Sequence, residues 1–122
     1  MSRSVEEQLT RVLGAWAVAS MTTGAVLSAS PRTRGFGRQT LTWGAVDGAI
    51  AYVGAHRRAA KGPTDARRLR RVLLVNVGLD VGYLAAAAWL LRDGRWRGDG
   101  AAVAVQGGFL LVLDATAARR LR

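Results

Sequence analysis

Three aspartates stand where charge is otherwise missing. Asp47, Asp80 and Asp114 each lie inside an apolar run that holds no lysine, arginine, histidine or glutamate. A carboxylate among apolar side chains is expensive as an ion, so such a group is paired, protonated or put to use. Two carboxyls at a common depth can share one proton and act as acid and base. This makes Asp80 and Asp47 the candidate catalytic pair, with Asp80 as the acid. Residues three, four or seven apart share a helix face. Such spacing joins Asn76, Asp80 and Tyr83, joins Thr40, Trp43 and Asp47, and joins Trp16, Ser20 and Thr23. Gln106 and Asp114 align at eight residues. Trp16, Trp43, Asn76, Tyr83, Gln106 and Asp114 are therefore the candidate ligand-binding residues. With no cysteine and one histidine, His56, neither a metal site nor a cofactor is expected.

The elements that must position these groups are four apolar segments, 12–30, 39–55, 72–91 and 101–118. A helix crosses the roughly 30 Å hydrocarbon core with about 20 residues, and about 17–25 is the working range. The chain carries a net charge of +10, which alone suggests a nucleic-acid binder. The charge, however, is expelled to the segment ends, whereas a soluble helical domain spreads it along every solvent face. The 122 residues are thus read as one all-α domain, an integral membrane bundle of four transmembrane helices in two hairpins. Segment 39–55 is the weakest span, being short, glycine-rich and interrupted by Asp47. Segment 12–30 is read as a retained span rather than a cleaved signal peptide, because Glu6 and Glu7 precede it and Pro31 follows its small residues. Local punctuation fits. Ser30-Pro31 closes the first segment, Gly62-Pro63-Thr64-Asp65 offers a turn and an N-cap that starts the third helix ahead of Val72, Arg92-Asp93-Gly94 ends it, and Asp99-Gly100 precedes the fourth. Ser4 and Glu7 have capping-box spacing.

Orientation follows from the basic residues of the short connections. The N-terminus, the 56–71 loop and the C-terminus share one side and hold twelve, among them Arg3, Arg11 and Arg122, against six in 31–38 and 92–100. Both termini are expected in the cytoplasm. The basic 56–71 loop is expected to meet anionic lipid headgroups, worth about 1 kcal/mol per basic residue, and not nucleic acid. Tyr52, Trp89 and Trp96 suit the membrane interface. Gly44 with Gly48 and Gly78 with Gly82 form GxxxG pairs, which support close packing or a homo-oligomer face. On the third segment that pair points away from Asp80. A faint repeat pairs Arg11-Val12-Leu13 with Arg71-Val72-Leu73 at an offset of 60, which lays Ser20 on Asp80 and Trp16 on Asn76. Gly44 and Gly107 match at 63. Two parallel hairpins about an axis along the membrane normal would produce such a repeat.

Four stretches carry a family resemblance: Leu13-Gly14-Ala15-Trp16-Ala17, Trp43-x-x-Val46-Asp47-x-x-Ile50-Ala51, Asn76-Val77-Gly78-Leu79-Asp80-Val81-x-Tyr83, and Gln106-Gly107-x-Phe109-Leu110-x-x-x-Asp114. The chain resembles, over nearly its whole length, an uncharacterised bacterial family of small four-helix membrane proteins classed as a domain of unknown function. It departs from that pattern at Ser20, Gly37, Thr40 and Gly44, where amides and histidines are expected, and at Asp47, where asparagine is expected. The resemblance implies the topology and the polar positions, and a bacterial cytoplasmic (inner) membrane location. It implies no activity.

The expected function is binding of a small or lipophilic ligand at the polar intramembrane site. A membrane-embedded isomerase or cyclase with Asp80 as acid, a proton- or cation-conducting oligomer, and a structural membrane subunit are the alternatives. An enclosed apolar pocket beside Asp80, a wet path through both faces, or a dry and fully hydrogen-bonded interior would separate them.

Overall fold

The computed structural model describes residues 2–121. Those residues are all α: α1 Ser2–Ser28, α2 Arg34–Lys61, α3 Ala66–Leu91 and α4 Arg97–Arg120, with a single 3-10 turn, Gly94–Trp96, ahead of α4. Every helix starts ahead of its apolar segment, and α2 and α4 also run past its end, whereas α1 stops at Ser28. Hydropathy marks where a helix is oily, whereas arginine, lysine, alanine and glutamate at the ends are strong helix formers and continue the backbone. The sequence boundaries are corrected accordingly. The 56–71 loop shrinks to four residues between α2 and α3, its basic side chains standing on helix ends. Ser4 lies inside α1, which starts at Ser2, and Asp99 and Gly100 lie in the first turn of α4 rather than before it. Arg122 and the side chain of Arg3, both counted in the charge asymmetry, fall outside the described residues.

The punctuation expected between α2 and α3 holds, and α3 ends at Leu91, just before Arg92. Gly62 ends α2 with φ 79°, a backbone that side chains with a Cβ rarely adopt, and its N–H donates to Arg58 O at 2.8 Å. Asp65 caps α3, its carboxylate accepting from the Arg68 N–H at 3.3 Å.

α1 packs along α2 and α3 along α4, and the two hairpins meet chiefly through α2 and α4. Glycines set the close approach. A methyl at Gly37 would stand 2.5 Å from Ser28 N, and one at Gly44 would stand 2.9 Å from Met21 N and Ser20 Cβ. In the other hairpin a methyl at Gly100 would meet Leu91 N and Leu90 Cβ at 3.0 Å, and one at Gly107 would meet Tyr83 Cβ at 3.3 Å and Leu84 at 3.4 Å. Each member of the second set is 63 residues on from its counterpart in the first. The repeat is therefore real in packing, with one register of 63 for both helices of the hairpin. The offset of 60 for the first helix is corrected: Ser20 corresponds to Tyr83, Ala17 to Asp80 and Trp16 to Leu79. The three-residue Arg-Val-Leu match misled because it lies in the first half of each helix, away from residues 20–28 and 83–91, which meet the glycines that lock the register. On α3, Gly78 and Gly82 have nothing within 4 Å and face outward.

The bundle is polar inside and apolar outside. Ser20, Thr40, Asp47, Asp80, Asp99, Gln106 and Asp114 are buried, while Val18, Val26, Ile50, Val75, Leu79, Val81 and Val112 are more than half exposed. Among the described residues, large apolar side chains are buried together at one end, where Val5, Leu69 and Leu73 pack with Ala117 and Ala118. Two helices, α3 and the Gly94–Arg120 segment, are long and apolar enough to cross a membrane. The serines, threonines and glycines of α1 and α2, with their polar stripes, keep those helices below the same threshold.

Candidate functional site

The seam between α2 and α3 opens into a cavity of about 390 Å³, completed by α4 and the start of α1. Such a volume lies in the range of small-molecule sites, about 300–1,000 Å³. Trp43 and Tyr83 stand at one end of its lining, with ring centroids 4.9 Å apart and planes at 65°. Its walls are aliphatic, from residues such as Ile50, Val72, Leu79 and Leu113, and its other end is reached by Glu6, Arg57, Arg58, Thr64 and Arg68.

Asp47, Asp80 and Asp114 all line this space. Asp47 is 1% exposed and Asp80 2%. The Asp80 and Asp114 carboxyls are hydrogen-bonding neighbours, and both interact electrostatically with neighbouring aspartates, Asp80 with Asp47. Oδ2 of Asp47 and Oδ2 of Asp80 are buried without a hydrogen-bond partner. An unpartnered buried acceptor costs about 1–3 kcal/mol, so a pair of them beside a cavity marks a place where donors are wanted.

Of the eight expected site residues, Trp43, Asp47, Asn76, Asp80, Tyr83 and Asp114 come together on the cavity. Trp16 and Gln106 lie outside its lining. Gln106, 1% exposed, accepts from Trp16 Nε1 at 2.8 Å and donates through Nε2 to Ser20 Oγ at 3.1 Å. Trp16 also stacks on Phe109 at 3.9 Å and 5°. Trp16 and Gln106 thus meet across α1 and α4, while Asp114 stands beside Asp80.

Sequence reasoning missed the groups that close the two ends. Glu6 accepts from Thr64 N and from Thr64 Oγ1, each at 2.8 Å, and pairs with Arg58 at 3.8 Å. Arg58 donates to Thr10 Oγ1 at 2.6 Å and Arg57 to Thr64 Oγ1 at 2.9 Å. At the opposite end Gln39 Nε2 donates to Asp99 Oδ1 at 3.2 Å. Apart from Arg57 and Thr64, which are 7 residues apart, these hydrogen-bond partners lie 48–60 residues apart, and no local spacing announces them. Among the described residues no group of histidine, aspartate or glutamate is arranged to hold a metal ion.

The sequence model of one family, described as a family of unknown function (DUF6992), matches residues 12–115. The chain belongs to that family. The matched span includes every residue from Trp16 to Asp114 in the cavity and in the Gln106 cluster, and it leaves out Glu6 and Thr10 of the end clasp. No curated protein and no solved structure matches the chain. DUF6992 membership thus brings no reaction with it, and the chemistry rests on the cavity.

Proposed function

We propose that this member of the DUF6992 family is a four-span protein of the bacterial inner membrane, with cytoplasmic termini, that binds a small lipophilic ligand in its acid-floored cavity. The unpartnered oxygens of Asp47 and Asp80 on an apolar-walled space carry the ligand reading. A subunit held together only by polar stripes would leave no such acceptors open. The inverted surface supports the membrane reading, since large apolar side chains on the outside match lipid and buried polar groups satisfy one another. Exposed Tyr52, Trp89 and Trp96 suit the interface, and the basic ends of α2 and α3 suit anionic headgroups. Gly78 and Gly82, facing outward, suit a contact between copies.

Native mass spectrometry from nanodiscs tests the ligand reading. The wild-type chain should retain one small-molecule adduct, and Ala51→Leu, which fills the cavity from α2, should release it. A bare wild-type mass would count against the proposal. Reporter fusions at residue 122 and within 31–38 test the topology and should localise to opposite faces. A cytoplasmic 31–38 connection would overturn it.

The hydrogen-bonded Asp80–Asp114 pair favours a second reading, an acid/base isomerase or cyclase acting on the bound ligand. The proton-holding pair is then Asp80 with Asp114, and Asp47 is the third carboxyl. Conduction draws less support, because the cavity lining ends at Trp43 and Tyr83.

A further inference from the structure

We infer that the cavity's ligand is a lipophilic amine, its ammonium group held among Asp47, Asp80 and Asp114 beneath the Trp43–Tyr83 pair and its apolar chain laid along the aliphatic walls. The inference rests on the ligand-binding reading above and adds the ligand's charge. Three carboxyls converge on one space, yet segments 39–55, 72–91 and 101–118 that carry them contain no lysine, arginine or histidine. At this end of the cavity the bundle therefore supplies acceptors and negative charge without a counter-charge, the lining arginines standing at the other end. Oδ2 of Asp47 and Oδ2 of Asp80, in side chains 1% and 2% exposed, are the acceptors left open. An ammonium offers three donors and one positive charge, so it answers both deficits at once. An alcohol offers one donor and no charge. The aromatic pair beside the carboxyls adds ring faces to which a cation, and not a neutral group, is drawn.

An anionic head would have to sit elsewhere. The nearest lining cation on α2, Arg57, is ten residues from Asp47, about 15 Å along the helix. Arg57 and Arg58 are also already bonded to Thr64, Thr10 and Glu6. A bare metal ion fits poorly, because among the described residues no group of three carboxyls is arranged to hold one and the aliphatic walls add no oxygen ligands.

Three probes of equal chain length separate the possibilities: octylammonium, octanol and octanoate. Each is titrated at neutral pH into the protein in nanodiscs of zwitterionic lipid, with Trp89→Phe and Trp96→Phe introduced so that Trp43 reports the cavity against a smaller background. Octylammonium should change the fluorescence saturably and bind at least tenfold more tightly than octanol. Octanoate should be weakest. The preference for the amine should vanish in the Asp47→Asn/Asp80→Asn variant, and the comparison of the three probes on the unaltered carboxyls holds whether or not that variant folds. Equal binding of octanol and octylammonium would overturn the cationic assignment while leaving the ligand cavity in place. Tightest binding by octanoate would overturn it in favour of the arginine end. No saturable change with any probe would overturn both the assignment and the ligand reading.

Discussion

The α1–α4 seam and the α2–α3 seam are built from corresponding positions of the two hairpins, and they end in opposite states. Ser20 meets Gln106 across the first, and Tyr83 meets Trp43 across the second, each residue 63 positions from its counterpart. At the first seam the Gln106 amide uses both its ends, on Trp16 and on Ser20, and the space between α1 and α4 is a smaller one of about 160 Å³ toward the Val5 and Arg120 end. Along the second, Asp80 stands where the first hairpin has Ala17, and Asp114 where it has Ala51. Asp47 stands where the second hairpin has Leu110. Acidic groups thus replace small or aliphatic residues on one side alone, and that is the side with the cavity and the unpartnered oxygens. The comparison teaches that one backbone plan can serve as lock and as site, according to whether its polar atoms find each other.

The largest effect should come from what both seams share. Gly37→Val and Gly100→Val put side chains against the backbone of the neighbouring helix, and overpacking of this kind costs typically 1–3 kcal/mol and occasionally more. Gly37→Val should sit at or above the top of that range, because its Cβ meets Ser28 N at 2.5 Å, and Gly100→Val lower, since its closest approach is 3.0 Å. Unfolding in mild detergent should rank them so. Equal and small losses would mean that the hairpins do not depend on the glycine approach, and the register of 63 would lose its physical basis.

The lock comes next. Gln106→Leu leaves Trp16 Nε1 and Ser20 Oγ unpaired, and interhelical hydrogen bonds in membranes average about 0.6 kcal/mol with a maximum near 1.7. A loss of about 1–2 kcal/mol is expected for the two together, with the cavity ligand retained. A variant that keeps its stability but loses its ligand would move Gln106 into the site and erase the distinction between the seams.

How much of this was legible beforehand follows from the range of each interaction. The helices, the end of α2 at Gly62, the start of α3 at Asp65, and the polar stripes are local, so spacing and punctuation announce them. Helix ends were placed too far inward, since apolarity reports the oily part of a helix and not its hydrogen bonding. Within the stripes, nothing local told Gln106 from Asp114: both face inward from α4, but one meets Ser20 and Trp16 and the other meets Asp80. Glu6 was unreadable as a closure because its partner Thr64 lies 58 residues away. The glycines at 37 and 100 looked incidental until their neighbours, Ser28 and Leu91, showed the same offset.

The smallest change in stability belongs to the acids. Asp114→Asn keeps shape and an acceptor while removing a carboxyl that hydrogen-bonds Asp80. Its unfolding temperature should stay close to wild type, and ligand occupancy should fall by less than for Asp80→Asn, because neither orphaned oxygen belongs to Asp114. Occupancy lower than in Asp80→Asn would put Asp114 at the centre of the site.

Asp80→Asn decides the central claim, that the open seam holds its carboxyls for a ligand and not for packing. Native mass spectrometry of this variant from nanodiscs, paired with its thermal unfolding, reads both roles at once. The account predicts a protein as stable as wild type, because the amide preserves the shape and removes a costly buried acid, but one whose bound adduct is gone. A folded Asp80→Asn protein that retains its ligand in full would contradict it.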